Sequence, residues 1–110
     1  MYGILSCEKI RKFVSLFEEY EIEFEFIDLK KNPPTVEKIE EWEAFLGELP
    51  INRRGTTYKD FKKKFESAER AEKIKMMQQN VPCIERPILE RDGEVIAVGG
   101  RPERLFVDLF

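Results

Sequence analysis

From residue 7 to about residue 20 the apolar positions Ile10, Phe13, Val14 and Phe17 recur at helical spacing with charged residues between them. That pattern predicts an amphipathic helix, with Ser6 placed to cap it. Before it, Tyr2-Gly3-Ile4-Leu5 reads as a short strand that breaks into the helix at Cys7. Over residues 23–29 the pattern changes to near-alternation, which predicts a strand burying Phe24 and Phe26 and exposing Glu23 and Glu25. Lys31-Asn32-Pro33-Pro34 breaks the chain, and Thr35 is placed to cap a second helix with Ile39, Trp42, Phe45 and Leu46 on one side and its end at Gly47. A breaker-rich loop over residues 49–57 follows, then a short helix beginning with Tyr58, Phe61 and Phe65. Ser67 is placed to start another, with Ala71, Ile74 and Met77 facing inward and its end near Asn80. Residues 88–90 and 95–98 flank Asp92-Gly93, a favoured two-residue hairpin turn. Gly99-Gly100-Arg101-Pro102 ends the second strand, and Pro102 suits the first turn of a terminal helix containing Leu105, Phe106 and Leu109. Helices interleaved with strands predict an α/β arrangement.

At 110 residues the chain is expected to form one domain. A net charge of −3 argues against a general electrostatic grip on nucleic acid or an anionic membrane. No apolar run approaches a membrane span and no signal-peptide pattern opens the chain, so the cytoplasm is the expected compartment. With no histidine and two cysteines, histidine-based triads are excluded, and zinc or haem sites have almost nothing to build on.

What chemistry remains centres on Cys7. A thiol at the start of a helix meets the positive end of the helix dipole and the unpaired first-turn N–H groups, which stabilise a thiolate. The competing reading is a buried small hydrophobe. Arg86 precedes Pro87 at the entrance to the hairpin, where a guanidinium can return to the same end of the fold; Arg101 follows two glycines that let the backbone bend closely around a ligand. Either arginine could equally be a surface residue. Together the three make a site for an oxyanion, since guanidinium donates two parallel hydrogen bonds to a tetrahedral anion. Cys7 and Arg11 enclose too few residues for a phosphatase-type loop, so any assisting arginine comes from elsewhere in the chain. Cys83 reads as a resolving thiol or a buried spectator, and Lys62-Lys63-Lys64 as a solvated helix face.

In order and spacing the chain resembles the glutaredoxin-dependent arsenate reductase family and its Spx-type relatives, which are thioredoxin-like proteins. The resemblance runs through Tyr2-Gly3 before Cys7, Asp28-Leu29-Lys30 followed by Asn32-Pro33-Pro34-Thr35, Asn52-Arg53-Arg54-Gly55-Thr56-Thr57-Tyr58, Ile84-Glu85-Arg86-Pro87-Ile88-Leu89, and Gly99. It implies a single thioredoxin-like α/β domain over residues 1–110: a small mixed sheet flanked by helices, a helical insertion at about 35–80, and a cis proline at Pro87. It implies Cys7 as the nucleophile, and Arg86 and Arg101 as the second and third of three oxyanion-binding arginines. The first falls on Asn52, with Arg53 and Arg54 as substitutes from the next positions. No bound cofactor or metal is implied; glutathione is the reductant, glutaredoxin the partner, and a small oxyanion such as arsenate the substrate.

Three departures qualify the match. Ile10 stands where Spx-type redox switches carry a second cysteine, the loop between Pro82 and Ile84 is about one residue shorter, and the strand before Cys7 has fewer residues than in relatives, so that it is either short or begins upstream. Two other functions therefore stand beside arsenate reduction. One is a Spx-like interaction protein docking on RNA polymerase without redox activity; the other is a glutathione-dependent reductase of a different small molecule.

Overall fold

The computed structural model describes residues 1–4 and 7–109; the expected roles of Leu5 in a strand and Ser6 as a cap lie outside the described residues. Four strands, β1 (Tyr2–Gly3), β2 (Ile27–Asp28), β3 (Ile88–Arg91) and β4 (Glu94–Val98), form one sheet in the order β2-β1-β3-β4. β1 pairs parallel to β2 and antiparallel to β3, and β3 pairs antiparallel to β4 with a register shift between Leu89 and Glu90. Five helices accompany the sheet: α1 (Glu8–Glu19), α2 (Val36–Leu46), α3 (Thr56–Ser67), α4 (Arg70–Gln79) and α5 (Pro102–Leu109), with a 3-10 turn at Val81–Cys83. This is the expected mixed sheet flanked by helices, and α2, α3 and α4 all fall between β2 and β3.

Alternation along the strands divides the core. Ile88 and Ile4 face a cluster with Ile39, Trp42, Tyr58, Phe65 and Ile74 from α2, α3 and α4. Met1, Leu89 and Ala97 face the other side, where Ile10, Phe13 and Phe17 of α1 meet Leu105 and Phe106 of α5. α1 lies so close to β1 that a Cβ on Gly3 would come 2.8 Å from Ile10 Cδ1, so a larger residue here would make the Ile10 side chain shift.

Helices with strong local signals start and stop as expected. Thr35 Oγ1 accepts the Lys38 N–H at 3.2 Å, and Gly47 closes α2 in the left-handed region. Several expectations are corrected. Of residues 23–29, only Ile27 and Asp28 are in a strand, and Phe24 is 37% exposed rather than buried. Among the described residues β1 pairs with this segment only as Tyr2 with Ile27 and Gly3 with Asp28; backbone bonds join Ile27 to Met1 and Leu29 to Gly3, and the Glu25 carbonyl accepts from the Met1 amine at 2.7 Å. Residues with no neighbouring strand make no ladder. Phe45 and Leu46 are exposed at the end of α2. Ser67 ends α3 instead of starting α4; its hydroxyl donates to the Lys63 and Lys64 carbonyls, and Glu69 occupies the cap of α4. Ala71 is exposed and Met76 is buried with Ile74 and Met77. Among the described residues no helix is long and apolar enough to cross a membrane.

Candidate active site

The sheet brings the sequence-predicted residues to one end through its strand directions. The chain leaves β1 from its carboxyl end toward Cys7. Because β3 runs antiparallel to β1, the residues that enter β3, Arg86 and Pro87, stand at that same end. Because β4 runs antiparallel to β3, Gly99, Gly100 and Arg101 leave β4 there too. Two hydrogen bonds tie the three turns: the Gly99 N–H donates to the Pro87 carbonyl at 2.7 Å, and the Lys9 side chain in the first turn of α1 donates from Nζ to the Arg86 carbonyl at 3.4 Å. A fourth segment joins through Ile51, which bridges Ile84, while the Asn52 N–H donates to the Cys83 carbonyl at 2.7 Å and the Glu85 N–H to the Pro50 carbonyl at 2.8 Å.

Cys7 is the N-cap of α1, with extended backbone (φ −81°, ψ 123°). Its N–H donates to the Ile4 carbonyl at 2.9 Å, and its carbonyl accepts the Arg11 N–H at 3.2 Å, so the turn is held by backbone alone. The thiol makes no capping bond and is half-buried against the α1–α5 cluster. It is thus left for other chemistry at the N-terminal end of a twelve-residue helix.

The Arg86–Pro87 peptide is cis. Arg86 Nη1 donates to the Pro82 carbonyl at 2.7 Å, which anchors one limb of the guanidinium, while its Nε is buried with no hydrogen-bond partner. A buried donor without an acceptor costs about 1–3 kcal/mol, and an anion at that place would recover it. Arg101 is exposed immediately before α5, its carbonyl accepting the Leu105 N–H at 3.0 Å. Gly99 adopts a φ of +72°, and a Cβ there would come 2.8 Å from Glu85 Cγ, so glycine is what permits the bend that delivers Arg101.

The expected site residues Asn52, Arg53 and Arg54 are engaged with one another and with their neighbours in the chain. Asn52 Oδ1 accepts the Arg54 N–H at 3.2 Å, and its carbonyl accepts the Gly55 N–H at 3.2 Å, an Asx turn that organises the entry to α3. The Arg53 guanidinium turns to Glu48, with a closest approach of 3.7 Å. Arg54 is exposed and, among the described residues, makes no ion pair. Cys83 is fully buried, and burial pushes its thiol up to about 12, which disfavours the thiolate a resolving cysteine needs at neutral pH.

Sequence reasoning passed over Lys9. Its only signal was its place, two residues beyond Cys7 in the same turn. A cleft of about 590 Å³ lined by Met1, Phe17, Phe24, Leu89, Arg91 and Gly93 opens at the opposite end of the sheet, and neither cysteine lines it. Among the described residues no group of three potential metal ligands occurs.

Residues 2–105 match the model of the ArsC family. No curated protein sequence matches. Among solved structures, a YffB protein is 26% identical with a TM-score of 0.80, the match covering 99% of this chain and 96% of that one. An arsenate reductase (ArsC) related protein from Brucella melitensis is 27% identical with a TM-score of 0.69, covering 99% and 91%. An arsenate reductase from Vibrio cholerae is 24% identical with a TM-score of 0.77, covering 98% and 94%, and at that identity the likeness shows the fold alone. The expected thioredoxin-like α/β fold accordingly stands.

Proposed function

The chain belongs to the ArsC family, and from that premise we propose that it is a thiol-dependent reductase of a small oxyanion, with Cys7 as nucleophile and Arg86 and Arg101 as oxyanion-binding residues. The observation that carries the reading is the buried, unpartnered Nε of Arg86, on the loop tied to the first turn after Cys7. A donor in that condition is satisfied by an acceptor that arrives with the substrate. Asn52, Arg53 and Arg54 line the facing wall and contact the substrate's outer part.

In this mechanism the Cys7 thiolate attacks the arsenic of bound arsenate, and a hydroxyl leaves as water with one added proton. Glutathione then attacks the sulfur of the adduct. The S–As bonding pair passes to arsenic, which leaves as arsenite, and Cys7 remains as a mixed disulfide with glutathione. Glutaredoxin and a further glutathione return the free thiol, since Ile10, fully buried, stands where a local partner cysteine would be needed. These reductants place the protein in the cytoplasm. No bound cofactor enters any step.

The test is arsenate turnover with glutathione and glutaredoxin, wild type against Cys7→Ser. Turnover abolished in the variant is the expected result. Absence of turnover in the wild type, with reduction of glutathionylated small molecules retained, would move the substrate away from arsenate. Absence of both, with recovery of RNA polymerase subunits unaffected by Cys7→Ser, would replace the reductase by a docking protein.

A further inference from the structure

We propose that Lys9 is a third cationic residue of the Cys7 site, holding with Arg86 and Arg101 the anionic group that approaches the thiol and so giving Cys7 a preference for anionic over neutral electrophiles. The inference rests on Cys7 being the nucleophile of this protein, and it adds a residue that sequence reasoning did not single out.

Lys9 is the second residue of α1, in the first turn, so its side chain starts one step from the helix end that Cys7 caps. Its stem is partly covered, and its ammonium lies at 3.4 Å from the Arg86 carbonyl, across 77 residues of sequence. One long hydrogen bond to a neutral acceptor uses one of three ammonium protons and cancels none of the charge. Other lysines near the core are neutralised: Lys12, one position past Arg11 on the same helix, pairs with Glu103, and Lys38 pairs with Glu90 and Glu41. Among the described residues Lys9, Arg86 and Arg101 make no ion pair. These three sit on the three segments that the Lys9–Arg86 and Gly99–Pro87 bonds hold together.

Unpaired cations collected at one place repel one another, and the arrangement becomes favourable when an anion enters. The nearby acids do not supply it. Glu103 pairs with Lys12 and only feels Arg101 at longer range, Glu85 lies against Gly99, and Glu8 is exposed in the first turn; among the described residues none of the three forms an ion pair with Lys9, Arg86 or Arg101. Asn52 is neutral, and its side-chain Oδ1 accepts the Arg54 N–H. A tetrahedral oxyanion or a carboxylate-bearing thiol compound therefore meets its third positive charge at Lys9.

The test compares alkylation of Cys7 by iodoacetate and by iodoacetamide in the full-length wild type, Lys9→Gln and Lys9→Arg, at low ionic strength. In both reactions the same thiolate displaces iodide, so the ratio of the two rates cancels the thiolate fraction and reports the local potential felt by the reagent. Cys7→Ser confirms the site of labelling, and thermal melting confirms that each variant folds. We expect Lys9→Gln to lower the iodoacetate-to-iodoacetamide ratio about three- to fivefold, the effect to shrink at high salt, and Lys9→Arg to retain the wild-type ratio. An unchanged ratio in Lys9→Gln, a ratio that falls equally in Lys9→Arg, or a fall insensitive to salt overturns the proposal. The ratio is independent of arsenate turnover, so a substrate other than arsenate leaves this result standing. Only a Cys7 inert to both reagents would overturn the proposal together with the nucleophile it depends on.

Discussion

Replacing Arg86 by methionine is expected to separate stability from function. The wild-type guanidinium makes one hydrogen bond within the protein, from Nη1 to the Pro82 carbonyl, and its loss costs about 1.5–3 kcal/mol for a charged donor. The same substitution removes the buried, unpartnered Nε, whose desolvation costs about 1–3 kcal/mol in the folded state. Methionine retains most of the aliphatic stem, so packing changes little. The two terms nearly cancel, and the melting temperature should stay within about 4–8 °C of wild type, corresponding to roughly 1 kcal/mol. Anion binding has no such compensation. Two charge-assisted hydrogen bonds lost from a desolvated site amount to about 3–6 kcal/mol, or roughly two to four orders of magnitude in affinity or in kcat/KM.

Two measurements read this. Thermal melting followed by circular dichroism, with and without added arsenate or phosphate, gives the stability of each protein and the stabilisation conferred by the anion. Steady-state turnover with glutathione and glutaredoxin gives the catalytic loss. Arg86→Lys should fall between the two, since an ammonium keeps the charge and loses the fork. The reasoning is refuted if Arg86→Met loses more than about 3 kcal/mol of stability while anions still raise its melting temperature as in wild type. Arg86 would then be a tie that holds the 3-10 turn at Val81–Cys83, and the orphaned Nε would have no functional meaning.

What could be read from the sequence was what local rules decide. α2 begins and ends as expected because its two signals act within one turn: Thr35 satisfies the Lys38 N–H, and Gly47 adopts the left-handed conformation. Cys7 at a helix start and Arg86 before Pro87 were visible for the same reason. Residues 23–29 were misread because alternation says which faces a strand would have and says nothing of whether a neighbour exists to pair with. Here β1 offers Tyr2 and Gly3, with the Met1 carbonyl beyond them, and the ladder stops there. Ser67 was misread because a serine hydroxyl that can cap a following helix can equally bond back to the helix it ends, and the choice is made by Glu69 in the cap of α4. Lys9 carried only the signal of its place two residues beyond Cys7, and Glu90 carried none. Their contacts reach Arg86 across 77 residues and Trp42 across 48, and no pattern of period two or 3.6 encodes a bond of that range.

The remaining expectations follow from the same contacts. Glu90 accepts from the fully buried Trp42 Nε1 at 3.0 Å and from Lys38 Nζ at 3.1 Å, and since Lys38 keeps Glu41 while Trp42 Nε1 is orphaned, Glu90→Ala should cost about 1–3 kcal/mol in urea unfolding; a loss under about 0.5 kcal/mol would show that this network contributes little. Gly99→Ala forces a side chain into a φ of +72° against Glu85 and should cost about 1–3 kcal/mol and reduce turnover, since it moves the turn carrying Arg101; equal activity would detach Arg101 from the site. The third concerns alkaline pH and Cys83. Burial raises this thiol from its usual value near 9 to about 12, so the folded state keeps a proton that the unfolded state loses. Where the unfolded state binds fewer protons, stability falls as pH rises. The contribution is therefore complete below about pH 8 and declines from about pH 9 toward 12, by up to about 1.4 kcal/mol per pH unit. Tyr2, whose hydroxyl is raised by burial and then by Glu90, pulls the same way, but it is common to wild type and variant. Cys83→Ala should be less stable than wild type at pH 7 through lost packing, and the gap should narrow by about 1 kcal/mol between pH 9 and pH 10 in urea melts. A gap that stays constant over that interval would mean that the Cys83 thiol ionises in the folded protein, and the exclusion of Cys83 from redox chemistry would fall with it.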